Sequence, residues 1–300
     1  MRVKKWRRML LCLLAVGLLL CGCAAGEEPE PPDPAPVDSV NAEEQRANIV
    51  RTGWYAVPVI AHALGTVDGR TGTNSLDAFL ASYEAGHRVF EVDLQLTSDG
   101  YLIARHDWEQ ISYYNLEQAY AGVMDLETFK NTPICYYYTP LTIDDLVYLM
   151  REYPDIYFVT DSKDTDKETI LAEIREISRT IQEAGDPALW DRIIVQIYHE
   201  DMYGWVAQEA PVTNWIFTLY QIESPDCGKI GAFCQEHGIP VVTAASGRLS
   251  REQSDTLHSY GCLIYIHTVN RLLTMREVEW IVDGFYSDYV SPTQLEAVRA

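Results

Sequence analysis

The sequence lacks an excess of positive charge. It contains 23 Lys and Arg residues against 44 Asp and Glu residues, which gives a net charge of −21. Proteins that bind nucleic acid contact the phosphates through a basic patch or stripe, and no such stripe occurs along this chain. The composition therefore predicts no nucleic-acid partner, and an acidic surface favours solubility and attracts cations.

Two common sequence motifs are also missing. No Gly-rich dinucleotide-binding fingerprint follows a predicted strand. Seven cysteines are present, but their spacing does not form the paired CxxC motifs of a structural zinc site. Four of them, Cys135, Cys227, Cys234 and Cys262, fall in the predicted folded part. There they could be buried apolar residues or, for Cys227 and Cys234, a disulfide.

The longest apolar run, residues 9–20, is too short for a comfortable membrane span. Five cations precede it, and the following sequence LCGC, residues 20–23, resembles the lipobox of bacterial lipoproteins. This layout predicts a signal peptide over residues 1–23 with Cys23 as the lipidated first residue; an uncleaved anchor is the alternative. In both cases the domain is expected to be exported and held at the outer face of the bacterial cytoplasmic membrane.

Residues 24–50 are rich in Pro, Glu and Asp and have few large apolar side chains. Such a segment cannot bury enough surface to fold, so it is predicted to be a disordered tether. The remaining residues, 51–300, are numerous enough to form one large domain with a hydrophobic core.

Short β-rich runs alternate with amphipathic segments between residues 57 and 290. Eight runs have the composition of strands, and several segments between them repeat apolar residues at three- and four-residue steps. This alternation predicts an α/β fold with a parallel sheet, and eight strands at this length favour a (β/α)8 TIM barrel; an open doubly wound sheet is the alternative. Residues 97–140 break the alternation, and we interpret them as an insertion after the second strand.

Two carboxylates interrupt the second predicted strand, in the sequence FEVDLQL. Glu91 and Asp93 are two residues apart and therefore share one face of the strand. Adjacent carboxylates repel each other unless a cation lies between them, and oxygen ligands suit Ca²⁺ or Mg²⁺; a solvated or salt-bridged face is the alternative. Asp161 and Lys163 repeat this spacing at the next strand. They are predicted to supply a third carboxylate and an ammonium group for an anionic substrate.

Two histidines complete the constellation. His62 ends the first predicted strand, and His106 closes the hairpin of the insertion. An unperturbed imidazole has a pKa near ~6.5, which suits proton transfer in either direction. One histidine could deprotonate an attacking oxygen and the other protonate a leaving alkoxide, while a cation offsets the phosphoryl charge. This pattern predicts phosphodiester cleavage.

The same residues resemble the glycerophosphodiester phosphodiesterase family. The segments IAHALG, NSLDAF, EVDLQLTSDGYLIARHD, PLTIDDL, VTDSK, HTVN and VDGFYSDYVSP occur in the family's order between residues 57 and 292. The resemblance implies a TIM barrel with the same insertion. It also implies roles for eight residues: His62 and His106 as acid–base catalysts; Glu91, Asp93 and Asp161 as metal ligands; and Lys163, Asn74 and His267 as substrate contacts.

Four positions depart from the family pattern. Ala63 stands where the family has a phosphate-contacting Arg, Thr73 replaces a Glu, Asp161 is one methylene shorter than the family Glu, and His267 replaces a Trp. These changes affect the phosphate clamp and the alcohol pocket, so we expect retained chemistry with an altered substrate. Arg70 and Arg105 are candidates for the missing guanidinium group.

The sequence therefore predicts a metal-dependent hydrolase that splits glycerophosphodiesters, or related envelope diesters, into a phosphomonoester and an alcohol. Two alternatives remain: a phospholipase C- or D-like enzyme acting on lipid head groups, and a non-catalytic envelope lipoprotein that retains the fold. The expected cofactor is Ca²⁺ or Mg²⁺. The expected partners are the diester substrate and, through the lipid anchor, the membrane.

Overall fold

The computed structural model describes residues 39–108 and 122–299. The strands are β1 Val59–Ala61, β2 Val89–Leu96, β3 Leu102–Ala104, β4 Tyr157–Ser162, β5 Ile193–Ile197, β6 Asn214–Thr218, β7 Val241–Ala245, β8 Leu263–His267 and β9 Gly284–Ser287. Eight of them pair in parallel in the order β1-β2-β4-β5-β6-β7-β8-β9, and β9 pairs with β1 to close a barrel. The predicted (β/α)8 barrel and its eight strands are confirmed, and the open-sheet alternative is wrong.

Helices surround the barrel. They are α1 Ser39–Asn48, α2 Leu76–Glu84, α3 Leu126–Lys130, α4 Ile143–Glu152, α5 Lys167–Ala184, α6 Glu200–Glu209, α7 Cys227–His237, α8 Arg251–Ser259, α9 Leu272–Val278 and α10 Pro292–Arg299. Local sequence sets several of their ends: Thr142 forms a capping box before α4, and Gly185 ends α5 in the left-handed region at φ 68°. Within the described residues, no helix combines the length and hydrophobicity needed to cross a membrane.

Strand β2 shows how the alternation of side chains builds the two sides of the barrel wall. Phe90 and Val92 lie in the core between the barrel and the helices, whereas Val89 packs with the residues inside the barrel. Glu91 and Asp93 share the inner face with Val89, and they are only 2% and 1% exposed. The predicted assignment of faces is therefore confirmed, and it places both carboxylates inside the barrel.

The segment before β1 closes the amino end of the barrel. Trp54 packs among the interior residues, and its Nε1 donates a hydrogen bond to Asn214 Oδ1 at 3.1 Å. The hydroxyl of Tyr265 donates to the carbonyl oxygens of Tyr55 and Val57, at 3.2 and 2.8 Å. Protein thus fills this end, and the opposite, carboxyl end of the strands forms the mouth, where barrel active sites lie.

The end of the predicted tether is helical instead. Residues 39–48 form α1, and Arg46 Nε donates to the buried carboxylate of Asp283 at 2.9 Å. Arg51 donates to the same oxygen at 2.6 Å. The polar composition of this segment predicted disorder. Its helix is instead attached to the barrel by ion pairs, which do not require large apolar side chains. The predicted signal peptide, Cys23 and residues 24–38 lie outside the described residues.

The insertion after β2 contains a strand and a short helix. Strand β3 pairs antiparallel with β2, with Leu94 opposite Ala104, and α3 follows later in the insertion. A small cluster of its own, built on Trp108 and Phe129, stabilises it. The antiparallel hairpin was predicted and α3 was not. Residues 109–121 of the insertion lie outside the described part.

The four cysteines of the described residues are free and buried. The buried-apolar interpretation is therefore the one observed, and no Cys227–Cys234 disulfide is formed.

Candidate active site

Three carboxylates meet at the carboxyl ends of β2 and β4. Asp93 and Asp161 lie directly opposite each other in the parallel register. One oxygen from each of Glu91, Asp93 and Asp161 lies within 4.8 Å of the other two. The structure thus brings the three predicted metal ligands together in a group that could hold a metal ion.

The environment of Glu91 fits a divalent cation. Its Oε2 accepts a hydrogen bond from the Ala63 amide at 2.6 Å, whereas its buried Oε1 has no hydrogen-bond partner among the described residues. Burial and the neighbouring charge of Asp93 raise the pKa of Glu91 well above its usual range. A buried carboxylate oxygen without a partner is costly, and a cation held by three oxygen donors would remove that cost.

Asn74 lies behind Asp93 and not in reach of a substrate. It is fully buried; its Nδ2 donates to Asp93 Oδ2 at 2.6 Å, and its Oδ1 accepts from the Asp93 amide at 3.0 Å. Its φ of 49° is in the left-handed region, which Asn tolerates better than most residues. The predicted substrate contact is therefore corrected, because both polar ends of the Asn74 side chain bind Asp93 and orient it.

The Lys163 ammonium forms ion pairs with both Asp93 and Asp161. Burial would lower the pKa of Lys163, but the charges of Asp93, Asp161 and Glu91 outweigh it and raise the pKa. The group therefore stays positively charged at the strand ends. This is a suitable position for the predicted contact with an anionic substrate group.

His62 begins the short 3-10 turn that follows β1. Its Nδ1 lies 2.8 Å from Asp288 Oδ1, and its Nε2 lies 4.0 Å from Glu91 Oε2. Burial would lower the pKa of His62, but the hydrogen bond to Asp288 and the charges of Glu91 and Asp93 raise it to about 9. The ring is thus fixed through Nδ1, and Nε2 faces the carboxylate group.

Asp288, which fixes His62, was not identified from the sequence. Asn270 holds it in turn: Asn270 Nδ2 donates to Asp288 Oδ2 at 2.6 Å, and Asn270 Oδ1 accepts from the Asp288 amide at 2.8 Å. Both residues lie in segments that carry the family resemblance, HTVN and VDGFYSDYVSP. Their position in these motifs was the available signal for a role in the site.

His106 follows the β3 hairpin and approaches the same carboxylates from the insertion. Its Nδ1 lies 2.6 Å from Asp107 Oδ2. Burial would raise the pKa of Asp93, but the positive charges of Lys163, His62 and His106 outweigh it and lower the pKa. Both predicted catalytic histidines therefore act electrostatically on the same metal-ligand candidate.

His267 ends β8 and borders the mouth. Its ring centroid is 6.0 Å from that of Tyr220 and 6.1 Å from that of Tyr286. Burial lowers the pKa of His267 to about 4, and the charges of His62, Lys163 and Arg248 act in the same direction. The imidazole is therefore neutral at neutral pH, and it can offer a hydrogen bond to a substrate without adding charge.

The positions that depart from the family pattern have other contacts. Ala63 is fully buried in the left-handed region at φ 47°. The hydroxyl of Thr73 lies 2.9 Å from that of Ser75. Of the two candidates for the missing guanidinium, Arg70 forms a hydrogen bond with the Cys135 side chain. The Arg105 guanidinium lies over the Trp108 ring.

Arg248, in the loop after β7, is the arginine whose charge acts on His267. No sequence motif marks Arg248, so this residue was not predicted from the sequence.

Comparisons with known proteins agree with this geometry. Residues 65–291 match the model of the glycerophosphoryl diester phosphodiesterase family. No curated protein sequence matches the chain significantly.

Solved structures with the same fold include a candidate glycerophosphoryl diester phosphodiesterase from Silicibacter pomeroyi. It has a TM-score of 0.66 and 17% identity, and the match covers 85% of this chain and 97% of that one. A glycerophosphodiester phosphodiesterase from Parabacteroides distasonis has a TM-score of 0.62 and 16% identity, covering 80% and 95%. An Oleispira antarctica phosphodiesterase in complex with the product sn-glycerol-3-phosphate has a TM-score of 0.62 and 14% identity, covering 83% and 100%.

These TM-scores establish the shared barrel fold. The family match spans most of the chain, including every residue of the site except His62 and Ala63. The chain therefore belongs to the glycerophosphoryl diester phosphodiesterase family, a family of phosphodiesterase enzymes.

Proposed function

We propose that the protein hydrolyses glycerophosphodiesters with the help of a divalent cation, Ca²⁺ or Mg²⁺. The observation that carries the proposal is the meeting of Glu91, Asp93 and Asp161 within 4.8 Å, with His62 beside them. Glu91, Asp93 and Asp161 would hold the cation, which supplies charge neutralisation at the phosphoryl oxygens. Lys163 would add a second positive group on the same side of the substrate.

The two histidines would move the protons. His62 keeps its Nδ1 on Asp288 and presents Nε2, and His106 keeps its Nδ1 near Asp107. In each case a carboxylate binds Nδ1 and thereby fixes the orientation of the ring. One imidazole would remove a proton from the attacking oxygen, and the other would donate one to the departing alcohol.

The product side of the proposal is a phosphomonoester with a free alcohol. The Oleispira antarctica relative was solved with sn-glycerol-3-phosphate as its product, and we extend that product class to this protein. His267 and Arg248 would border the part of the substrate that leaves, because both lie at the mouth on the β7 and β8 side. Envelope diesters with a glycerophosphate unit are the proposed substrates.

Hydrolysis of glycerophosphoethanolamine with Ca²⁺ or Mg²⁺, followed by ³¹P NMR, tests the proposal. We expect wild type to release sn-glycerol 3-phosphate, and His62→Ala and His106→Ala to lower kcat by about 10² or more. His237→Ala, on α7 against Tyr203 and Phe233, is the matched control and should retain the rate. Equal rates for wild type and both site variants would contradict the assigned roles. Release of phosphoethanolamine instead would favour the phospholipase C-like alternative.

We also propose that Cys23 carries a lipid and holds the enzyme at the outer face of the cytoplasmic membrane. The proposal is supported by the order of features in residues 1–23: five cations, then an apolar run, then the lipobox-like sequence LCGC. Cys23→Ala should move the protein from the membrane fraction of the producing cells to the soluble fraction. Mass spectrometry of the mature N-terminus should find an acylated Cys23, and a mature chain that begins elsewhere would contradict the assignment.

A further inference from the structure

The third carboxylate of the site is unusually short for its position. By the resemblance of the segment VTDSK to the family motif, Asp161 stands where the family has Glu, so its oxygens reach one methylene less far from the strand. The structure nevertheless places an Asp161 oxygen within 4.8 Å of those of Glu91 and Asp93. Something other than side-chain length must therefore hold this carboxylate in place.

Two donors from the neighbouring strand β5 hold Asp161. Gln196 Nε2 donates to Asp161 Oδ1 at 2.8 Å, and the hydroxyl of Tyr198, directly after β5, donates to the same oxygen. Tyr198 follows Gln196 by two residues, and both side chains reach the same Asp161 oxygen. They are 7% and 4% exposed, so water offers little competition for these hydrogen bonds.

A further bond fixes the orientation of the Gln196 amide. The hydroxyl of Tyr286 on β9 donates to Gln196 Oε1 at 3.3 Å, so Nε2 must point to the opposite side, where Asp161 lies. The other oxygen of Asp161, Oδ2, pairs with Lys163. Each Asp161 oxygen therefore has a defined partner, and the carboxylate has little freedom to rotate.

We propose that Tyr198 and Gln196 are positioning residues that hold the shortened Asp161 carboxylate in the geometry required to bind the divalent cation. This inference rests on the proposed function, because it requires the cation site. Hydrogen-bond partners of a metal ligand commonly change metal affinity by about 10- to 100-fold when they are removed. The Tyr198 hydroxyl is the contact that a longer Glu at position 161 should make unnecessary.

Calorimetric titration of the cation-free protein with Ca²⁺ and with Mg²⁺ tests this directly, without any measurement of turnover. Tyr198→Phe keeps the buried ring and removes only the hydroxyl. We expect it to weaken cation binding about tenfold, and Gln196→Met should do the same. Tyr203→Phe, on α6 against Trp215, is the matched control and should bind the cation like wild type.

A double-variant comparison separates positioning from a general structural effect. In the Asp161→Glu background, adding Tyr198→Phe should change the cation Kd by less than about twofold, because the longer carboxylate no longer depends on the hydroxyl. The same tenfold loss in both backgrounds would overturn the inference, as would an unchanged Kd for Tyr198→Phe in the Asp161 protein. Absence of cation binding by wild type would overturn the proposed function itself, and a cation-binding wild type with an unaffected Tyr198→Phe would overturn only this inference.

Discussion

At the residue scale, we expect the position of Lys163 to have the largest effect on the affinity of the site for a cation. Its ammonium pairs with Asp93 and Asp161, two of the three candidate ligands. A positive side chain at this place neutralises the carboxylates and therefore competes with a bound metal ion. In the proposed function it also contacts the anionic substrate, so we expect this one residue to have opposite effects on cation binding and on catalysis.

Lys163→Met should separate these two effects. Without the ammonium, we expect the cation Kd to decrease several-fold, because about 1 kcal/mol of charge competition is removed. We expect kcat to fall by about 10² because the substrate phosphate loses a charged partner. Calorimetry and steady-state kinetics measure the two quantities, with Lys229→Met on the exposed side of α7 as the control. Weaker cation binding by Lys163→Met would contradict the competition.

Individual residues were predictable where the strand period decides their direction. Glu91 and Asp93 share a face by spacing alone, and the structure confirms that face. The substrate contact predicted for Asn74 was not found, because only the fold reveals that both polar atoms of its side-chain amide hydrogen-bond to Asp93. Asp288 was missed for the same reason: it is 226 positions from His62 in the sequence, and no local pattern relates the two.

At the element scale, the contact between β4 and α5 contains an isolated buried acid. Glu173 on α5 is 3% exposed and accepts a hydrogen bond from the Ser162 hydroxyl, on the strand that carries Asp161. Burial raises the pKa of Glu173 to about 8. The protonated acid is therefore the form that the folded protein favours, and its ionisation opposes folding.

Glu173→Gln should stabilise the protein at alkaline pH. A folded-state pKa above the unfolded value of 4.5 means that the stability contributed by the protonated acid is present below 4.5 and is lost as the pH rises towards 8. Gln cannot ionise, so we expect the free energy of unfolding at pH 8 to rise by about 2 kcal/mol, with little change at pH 5. Urea unfolding at both pH values measures this, with the exposed Glu236→Gln as the control. An equal effect at both pH values would contradict the ionisation argument.

Elements were predictable in proportion to the strength of their pattern. The eight barrel strands and the long amphipathic helices α4 and α5 follow directly from apolar spacing. The short α3 has too few turns to show a period, and α6 contains Gly204 at its centre, which weakens the helical signal.

At the scale of the whole molecule, one buried carboxylate joins the N-terminal segment to the barrel. Asp283 accepts hydrogen bonds from Arg46, Arg51, His258 and the amide of Ile264. Burial would raise the pKa of Asp283, but the hydrogen bond and charge of His258 and the charge of Arg46 lower it to about 2. Arg46 is 237 positions from Asp283. This separation explains why composition alone assigned α1 to a tether.

Asp283→Asn should destabilise the protein, and the effect should depend on pH. Because the folded-state pKa lies below the unfolded value of 3.8, this stability is present above pH 3.8 and is lost as the pH falls towards 2. We expect a loss of about 3 kcal/mol at pH 7, since the variant leaves the partly buried Arg46 guanidinium without its charged partner. Denaturant unfolding at pH 7 and pH 3, with the exposed Asp164→Asn as the control, measures it. If the loss in the free energy of unfolding were as large at pH 3 as at pH 7, the result would contradict the role assigned to the charge of Asp283.

The central claim is that three carboxylates of one barrel mouth hold a cation that phosphodiester hydrolysis requires. The most direct measurement is the rate of sn-glycerol 3-phosphate release from glycerophosphoethanolamine after treatment with EDTA and after return of Ca²⁺ or Mg²⁺. We expect EDTA to abolish activity in wild type, the returned cation to restore it, and Glu91→Gln to remain inactive under both conditions. Undiminished hydrolysis by the chelated wild-type enzyme would contradict the account.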